Sequence, residues 1–293
     1  MFRLKVSRGI GSLFIASVSF ASSAIFIRFA TEVSAVSLTF YRLSIAALVM
    51  ILFASFSHSL MRVCKHDLGF LIASGFALSL HFAAFIFAVQ ETTVANATFL
   101  VNTSPVMLAV LSPSMIKERT TSRELIGVGF ATLGVLLVAN AGNGFRTFGL
   151  ADLSALSAAF FIALYSLIGR RVRKRGLTTG SYTSYVYSIG ALVSLFLALG
   201  FGSRTFKFYD AQNILAILCL ALVPTAFGHS LYNYALGSVK TVTANLIPLL
   251  EPVIASLFAV LLFNEVPTSI QILGYSLIMA AVVVVVAKFD RSL

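Results

Sequence analysis

The sequence predicts an all-α integral membrane protein with ten transmembrane helices that form two inverted five-helix repeats. Its composition excludes a soluble fold, because only 11% of the 293 residues are charged, against about 25% in an ordinary soluble domain. Apolar runs of roughly 20 residues, enough to cross a bilayer core, recur along the whole chain. A segment that occurs twice predicts the division into two related halves.

The repeated segment covers residues 97–127 and 244–274, which align without a gap at an offset of 147 (244 − 97 = 147). Duplicated membrane segments with matched Pro and Gly positions are typical of transporters built from two halves. The identical pairs include Ala97 with Ala244, Pro105 with Pro252, Val106 with Val253, Glu118 with Glu265, Ser122 with Ser269 and Gly127 with Gly274.

Hydropathy along the chain sets the ten predicted spans. Five spans precede about residue 145 and five follow it, so the predicted repeats cover residues 9–141 and 148–287. Because each half has an odd number of spans, the halves are expected to have opposite orientations in the membrane. The predicted spans are 9–30, 35–56, 68–90, 93–116, 124–141, 148–168, 179–201, 212–236, 241–263 and 268–287.

Local features mark the spans of the first half. Lys5 and Arg8 precede span one, as basic residues do in a signal peptide, but removing this span would leave nine spans and one incomplete repeat. Span two contains Arg42 and span three contains His81. Pro105 interrupts span four, and the residues Thr121–Glu124 form a capping box that starts span five.

The second half carries matching features. The basic run Arg170–Arg175 follows span six, and Pro224 lies inside span eight. Span nine contains Pro248 and Pro252, and a second capping box, Thr268–Gln271, starts span ten. Tight turns at equivalent places predict two rigid hairpins, spans 4–5 and 9–10, against which spans 1–3 and 6–8 can rock. This is alternating access by inverted repeats.

The basic residues predict the topology. With the N-terminus in the cytoplasm, all but five of the 21 basic residues fall in cytoplasmic segments, as the positive-inside rule requires. Both termini are therefore expected in the cytoplasm, and the protein in the cell (inner) membrane. The run Arg170–Arg175 is interpreted as an anchor at anionic lipid headgroups and not as a nucleic-acid site. The five exceptions are Arg28, Arg42, Arg146, Arg204 and Lys207.

Proline positions indicate where the helices are irregular. Pro105, Pro224, Pro248 and Pro252 lie inside spans, where each removes one backbone hydrogen bond. The freed carbonyl is costly in lipid and is tolerated mainly where it faces protein or a water-filled cavity. Two interpretations stay open: kinks that only shape packing, or a central cavity in which spans four and nine line the path.

Several motifs together match the pattern of one known family: the stretch 105–127 with Glu118-Arg119, Glu251-Pro252, Asn264-Glu265, Tyr41–Ala46 and Gly149–Arg171. Through these motifs the sequence resembles the EamA family of the drug/metabolite transporter superfamily. The resemblance covers nearly the whole chain and implies ten helices, cytoplasmic termini and secondary transport without an ATP-binding domain. No Walker-type glycine loop occurs in the sequence.

Two motifs point to a subgroup. Leu80-His81-Phe82 and the stretch 96–106 look most like the relatives close to the amino-acid exporters. One feature departs from that subgroup: its aromatic cage often relies on tryptophan, which this chain lacks, although it has 27 Phe and 9 Tyr. The family carries amino acids, sugars, nucleotide derivatives and drugs on one scaffold, so the resemblance leaves the substrate open.

Ionisable residues inside spans are candidate substrate-binding residues, because each costs a few kcal/mol or more unless it is paired or wetted. Arg42 is expected either to snorkel to the outer interface or to serve as counter-ion for a carboxylate, the substrate's or that of Glu251. His81 and His229 are either neutral core residues or substrate contacts and proton relays. Glu251 is either a protonation switch or a structural hydrogen-bond partner.

The other candidates are polar or aromatic residues without charge. Tyr232 lies one turn from His229 on a polar helix face, which is expected to point inward. Asn102 and Asn245 are candidate amide donors. Phe20, Phe85 and Tyr165 are either aromatic walls of the cavity or lipid-facing or core residues.

These features predict a secondary transporter that exports small organic metabolites, amino acids or related compounds foremost. The alternatives are a transporter of other metabolites or drugs and a non-transporting membrane scaffold. The sequence lacks the residue clusters of a membrane enzyme, and no cofactor or metal is expected. Coupling stays open between protons and exchange, and the oligomeric state between monomer and dimer.

Overall fold

The computed structural model describes residues 2–140, 148–201, 207–263 and 266–290, and all its regular elements there are helical. Glu265, the sequence equivalent of Glu118, lies outside the described residues, as do Asn264, Arg146 and Arg204. The helices are α1 Phe2–Ala21, α2 Ser23–Phe29, α3 Ala35–Phe56, α4 Lys65–Glu91, α5 Val94–Val101, α6 Ser104–Met115, α7 Ser122–Asn140, α8 Leu150–Lys174, α9 Thr179–Gly200, α10 Ala211–Leu220, α11 Ser230–Leu236, α12 Thr241–Leu246, α13 Glu251–Phe263 and α14 Ser269–Asp290.

The predicted spans correspond closely to these helices. Among the described residues, nine helical segments are long and apolar enough to cross a membrane, and a further apolar segment, Thr241–Leu257, is shorter. The span predicted over 35–56 has the bounds of α3, and the span predicted over 179–201 ends one residue after α9. The protein is therefore an all-helical, multi-pass membrane protein.

Four of the predicted spans are interrupted. Span one breaks at Ser22 between α1 and α2, and span four breaks at Asn102-Thr103, directly before Pro105. A π-helical segment, Ala221–His229, joins α10 to α11 around Pro224. A 3₁₀ turn, Ile247–Leu250, joins α12 to α13 around Pro248. Three breaks thus occur beside prolines, where the α-helical hydrogen-bond pattern cannot continue.

Both predicted capping boxes are confirmed. Thr121 N–H donates to Glu124 Oε2 at 2.8 Å, and Glu124 N–H donates back to Thr121 Oγ1 at 3.3 Å. Thr268 and Gln271 repeat the arrangement with the same two distances, 2.8 and 3.3 Å. Each box satisfies two of the backbone donors that a helix start leaves unpaired, so α7 and α14 begin at equivalent residues.

Glycines allow two pairs of helices to pack closely. A Cβ built on Gly127 would meet Val285, whereas one on Gly134 would meet the carbonyl oxygen of Gly274, so α7 and α14 run antiparallel. Helices α3 and α9 also run antiparallel, since Gly180 lies against Ala54 and Gly190 lies against Leu43. Helix α4 packs against α8 and α9.

The basic run after span six differs from its interpretation as a surface anchor. Helix α8 continues six residues beyond the predicted end, to Lys174, and carries most of the run. Arg170 is 7% exposed and donates to the carbonyl oxygen of Leu236 at 2.7 Å. Arg173 donates to the carbonyl oxygen of Asn233 at 3.2 Å. These two arginines are turned inward because helix ends offer unpaired carbonyls there.

Candidate functional site

A cavity of about 90 Å³ lies where the interrupted helices meet. Its wall draws on the α1–α2 junction, α3, α4, the break between α5 and α6, α8, the π segment with α11, and the turn between α12 and α13. The lining residues are Phe20, Ser23, Arg42, His81, Phe82, Phe85, Val101, Asn102, Ser104, Ile162, His229, Tyr232, Asn245, Pro248 and Glu251.

The structure brings nine of the ten predicted site residues to this cavity: Phe20, Arg42, His81, Phe85, Asn102, His229, Tyr232, Asn245 and Glu251. Tyr165 lies behind the wall and is fully buried, with its ring centroid 6.4 Å from that of His229. Its hydroxyl accepts a hydrogen bond from Asn233 Nδ2 at 2.5 Å, so Tyr165 supports the residues that line the cavity.

Arg42 is held in one orientation from two sides. Its Nε donates to Thr225 Oγ1, and the Thr225 hydroxyl donates in turn to the carbonyl oxygen of Leu220 at 2.8 Å. The guanidinium carbon lies 3.6 Å from the centroid of the Phe82 ring, a cation–π contact. The side chain is 1% exposed and so does not reach the lipid interface.

The guanidinium of Arg42 still has unused donors. Nη1 is buried and has no hydrogen-bond partner among the described residues. No carboxylate oxygen of Glu251 lies within 4.0 Å of it, so among the described residues these two do not form an ion pair. A buried charged donor without an acceptor is costly, and this cost is removed when a ligand supplies the acceptor.

The two histidines are placed differently. His81 Nδ1 lies 2.8 Å from the carbonyl oxygen of Ala158, and because a carbonyl only accepts, Nδ1 carries the proton. His229 lies among rings: its centroid is 4.7 Å from that of Phe20 and 5.0 Å from that of Phe82. Its Nδ1 is buried without a hydrogen-bond partner in the described part of the chain. His229 therefore has a buried ring nitrogen that the described residues leave unused.

A chain of hydrogen bonds, in which each donor is defined, supports the cavity wall at Tyr232. Asn245 Nδ2 donates to Tyr232 Oη at 2.6 Å. Ser166 donates to the carbonyl oxygen of Ile162 at 2.6 Å, so the 2.5 Å bond between Ser166 and Tyr232 must have the tyrosine hydroxyl as donor. The chain fixes the Tyr232 ring and ties α12 to α8 through α11.

Two further polar residues face the cavity from the interrupted spans. Asn102 lies at the break between α5 and α6, and its Nδ2 is buried with no hydrogen-bond partner among the described residues. Glu251 is half-buried, opens α13, and accepts no hydrogen bond from a described residue. Pro105 follows Asn102, and Pro248 and Pro252 lie on either side of Glu251. The helix breaks at these prolines bring both side chains to the cavity.

Sequence reasoning missed six lining residues: Ser23, Phe82, Val101, Ser104, Ile162 and Pro248 as a contact. Phe82 is the most consequential, because it covers both Arg42 and His229. As one of 27 phenylalanines in an apolar chain it gave no compositional signal. Its position directly after His81 was the only available indication. Pro248 was noted as a kink, and the 3₁₀ turn explains why it reaches the cavity.

A second polar cluster surrounds Glu118, which lies just after the end of α6 and of the fourth span. Arg170 Nε donates to Glu118 Oε1 at 2.7 Å, and both the N–H and the hydroxyl of Thr241 donate to Oε2 at 3.2 and 3.1 Å. Burial opposes ionisation of the Glu118 carboxyl, but Arg170 and Thr241 outweigh it and lower the pKa of this group below its ordinary 4.5. The cluster joins the first half of the chain to two helices of the second.

The sequence pattern of the EamA-like transporter family matches this chain twice, over residues 7–140 and 149–287. The chain belongs to the EamA-like transporter family. The two matches together span nearly all of the described residues and all the lining residues of the cavity.

Named relatives of this EamA-like protein are transporters. An uncharacterized transporter of Archaeoglobus fulgidus is 25% identical over 277 residues, which are 92% of this chain and 93% of the relative. A protein of Escherichia coli K12 named "Probable amino-acid metabolite efflux pump" is 28% identical over 217 residues, 70% of this chain and 73% of the relative. A solved crystal structure matches with a TM-score of 0.82 at 16% identity, covering 98% of this chain and 99% of that one, and so shares the fold.

Proposed function

We propose that this protein is a secondary transporter that exports amino acids or related small metabolites by alternating access at the central cavity. The substrate would bind to the residues that line the cavity, with Tyr165 behind them. The observation that carries the proposal is a set of buried nitrogens that line the cavity and have no hydrogen-bond partner among the described residues: Arg42 Nη1, Asn102 Nδ2 and His229 Nδ1. Each unpaired buried donor or acceptor costs about 1–3 kcal/mol, which a polar ligand would recover.

The size and charge of the cavity support a small substrate. Its volume of about 90 Å³ is well below the roughly 300–1,000 Å³ of pockets that bury a drug-sized ligand. Arg42 projects a positive charge into the cavity, and Glu251 is the only acidic residue among the described residues that line it. A large cationic drug would therefore meet one repulsive and one attractive charge in too small a space.

Helix packing supports ten spans in two inverted five-helix repeats, residues 9–141 and 148–287. Helices α7 and α14 are the fifth of each proposed repeat, and α3 and α9 are the second. Both pairs run antiparallel, which is the relation that an inverted repeat requires of equivalent helices. The shorter helical segment that starts at Thr241 would be the ninth span, equivalent to the broken fourth span.

Counterflow in liposomes tests the transport proposal. The purified protein is reconstituted into liposomes that are loaded with unlabelled amino acids. Uptake of a mixed panel of labelled amino acids into these liposomes is then measured. Uptake above protein-free liposomes, competed by one side-chain class, is expected. His81→Ala should weaken the apparent affinity, whereas His66→Ala, at a residue 68% exposed on the surface, should leave it unchanged. No uptake of any amino acid by folded protein would reject this substrate class.

The proposed topology places both termini in the cytoplasm of the inner membrane. Cys64 is exposed in the segment before α4 and would face the cytoplasm. A membrane-impermeant maleimide should therefore label Cys64 in inside-out vesicles and not in intact cells. Lys207→Cys in a Cys64→Ser background should label from the opposite side. Labelling of Cys64 from outside would reverse the proposed orientation.

Coupling is proposed to be either to protons or to exchange, and one experiment separates them. Flux of the wild-type protein is measured with and without an imposed pH gradient, and with and without substrate on the opposite side of the membrane. Acceleration by the gradient alone would indicate proton coupling. Flux that needs substrate on the opposite side and ignores the gradient would indicate exchange.

A further inference from the structure

The cavity has two formally charged lining residues, and they have opposite signs. Among the described lining residues, Arg42 and Glu251 are the only ones of basic or acidic type apart from the histidines, and no ion pair joins them within 4.0 Å. A buried arginine and a half-buried carboxylate that do not neutralise each other are costly in a membrane interior. A ligand that supplies both counter-charges would compensate both.

The Arg42 side presents donors only. Its Nε is already bonded to Thr225, and Nη1 is buried with no hydrogen-bond partner among the described residues. Asn102 Nδ2 adds a second buried donor to which no described residue offers an acceptor. A guanidinium held in a fixed plane matches the two oxygens of a carboxylate. The ring of Phe82 closes one face of the guanidinium, so a ligand must approach through the remaining directions.

The Glu251 side presents acceptors only. Its carboxylate accepts no hydrogen bond from a described residue and lies at the start of α13, next to the 3₁₀ turn. An ammonium group, with three donors, is the complement of such a carboxylate. Glu251 lies on an interrupted span, and Arg42 lies beside one, bonded to Thr225 of the π-helical segment. Neighbouring elements restrict the movement of both groups.

Aromatic rings form the apolar part of the cavity wall. Phe85 stacks parallel to His81, with centroids 6.2 Å apart and planes 2° apart. Phe20 lies 4.7 Å from His229, measured between centroids. These rings bury apolar groups and offer no further charge. The small cavity volume limits the apolar group to a short side chain.

We propose that the cavity recognises the zwitterion of an amino acid with a short apolar side chain, the carboxylate at Arg42, the ammonium at Glu251 and the side chain against Phe20 and Phe85. This inference rests on the proposed transport function and adds the orientation of the substrate to it. It predicts that neither an amine nor a carboxylic acid of the same shape is a good substitute for the amino acid.

The test compares three molecules that share one side chain. Counterflow of labelled leucine is competed with unlabelled leucine, with isoamylamine, which lacks the carboxylate, and with isocaproate, which lacks the ammonium. Leucine should compete at least about tenfold more strongly than either analogue, a factor of ten corresponding to about 1.4 kcal/mol. If either analogue competes as well as leucine, the zwitterion proposal is overturned while transport stands.

Two variants then test which residue binds each end of the ligand. Arg42→Gln should remove the preference for leucine over isoamylamine, and Glu251→Gln should remove the preference over isocaproate. Lys207→Gln and Glu32→Gln, which alter an exposed ion pair of 3.2 Å, are the matched controls and should preserve both preferences. A reversed assignment would overturn the proposed orientation. Absence of counterflow for every amino acid with folded wild-type protein would instead overturn the transport function.

Discussion

Gly134 and Gly274 touch backbone to backbone: a Cβ built on either would lie 2.6 Å from the carbonyl oxygen of the other. Gly274 is the repeat equivalent of Gly127, which lies against Ala281, the position equivalent to Gly134. The contact is thus reciprocal, as expected for a contact that lies across a pseudo-twofold axis. Small residues at such a crossing let two helices approach closely in a membrane.

Gly134→Ala should destabilise the protein by about 1–3 kcal/mol, because the added methyl group meets a rigid backbone oxygen and the helices must separate. Thermal unfolding of the detergent-purified protein measures this. Gly129→Ala on the same helix is the control, since nothing lies within 4 Å of a Cβ there and alanine favours the helix. Equal melting temperatures for both variants would contradict close packing at Gly134.

Thr225→Val should reduce both stability and uptake. The change keeps the shape of the side chain but leaves Arg42 Nε without its acceptor and the Leu220 carbonyl without its donor, at about 1–3 kcal/mol for each unpaired group. Thr225→Ser keeps the hydroxyl and should retain most activity. Melting curves and counterflow rates are compared for both variants. A fully active Thr225→Val protein would show that Arg42 does not depend on this bond.

Tyr232→Phe should cost about 1–3 kcal/mol, because it leaves Asn245 Nδ2 and Ser166 without one hydrogen-bond partner each. The aromatic ring stays in place, so contacts with apolar ligand groups are expected to persist. Tyr234→Phe, at a half-exposed position on the same helix, provides the control and should be neutral. Thermal unfolding in detergent measures the stability of both variants. Equal losses of stability would contradict the hydrogen-bond chain.

Glu118→Gln should lower stability at neutral pH by up to about 3 kcal/mol, because Arg170 loses its charged partner. The pKa of Glu118 is lowered in the folded protein, so its contribution is present above the ordinary 4.5 and disappears as the pH falls through the folded value. The difference in melting temperature between wild type and variant should therefore shrink below about pH 4.5. A difference that is constant with pH would contradict an ionised Glu118.

The ends of the helices were predictable because the signals are local. The capping boxes at Thr121 and Thr268 involve residues three apart, and the corresponding hydrogen bonds are present. Breaks beside Pro105, Pro224 and Pro248 follow from the missing N–H of proline. The end of α8 was misplaced, because its arginines are stabilised by the Leu236 and Asn233 carbonyls, which are distant in sequence.

Membership of the cavity was predictable for the polar residues and not for the apolar ones. Arg42, His81, His229 and Glu251 stand out because polar groups in apolar spans are costly unless they face an interior. Phe82 could not be separated from lipid-facing phenylalanines by composition. Tyr165 illustrates the opposite error: its sequence position suggested a wall residue, but Asn233 holds it one layer behind the wall.

The sequence by itself determined that this chain is helical and crosses a membrane several times. It also determined where most of the helices begin and end and which polar residues have to face an interior. These properties depend on hydropathy and on groups a few residues apart. Only the tertiary structure decided what those residues contact. Arg42 contacts Thr225, 183 positions away in sequence, and Phe82 on α4, and no described residue accepts a hydrogen bond from its Nη1. Such contacts depend on how helices pack, which no local pattern specifies.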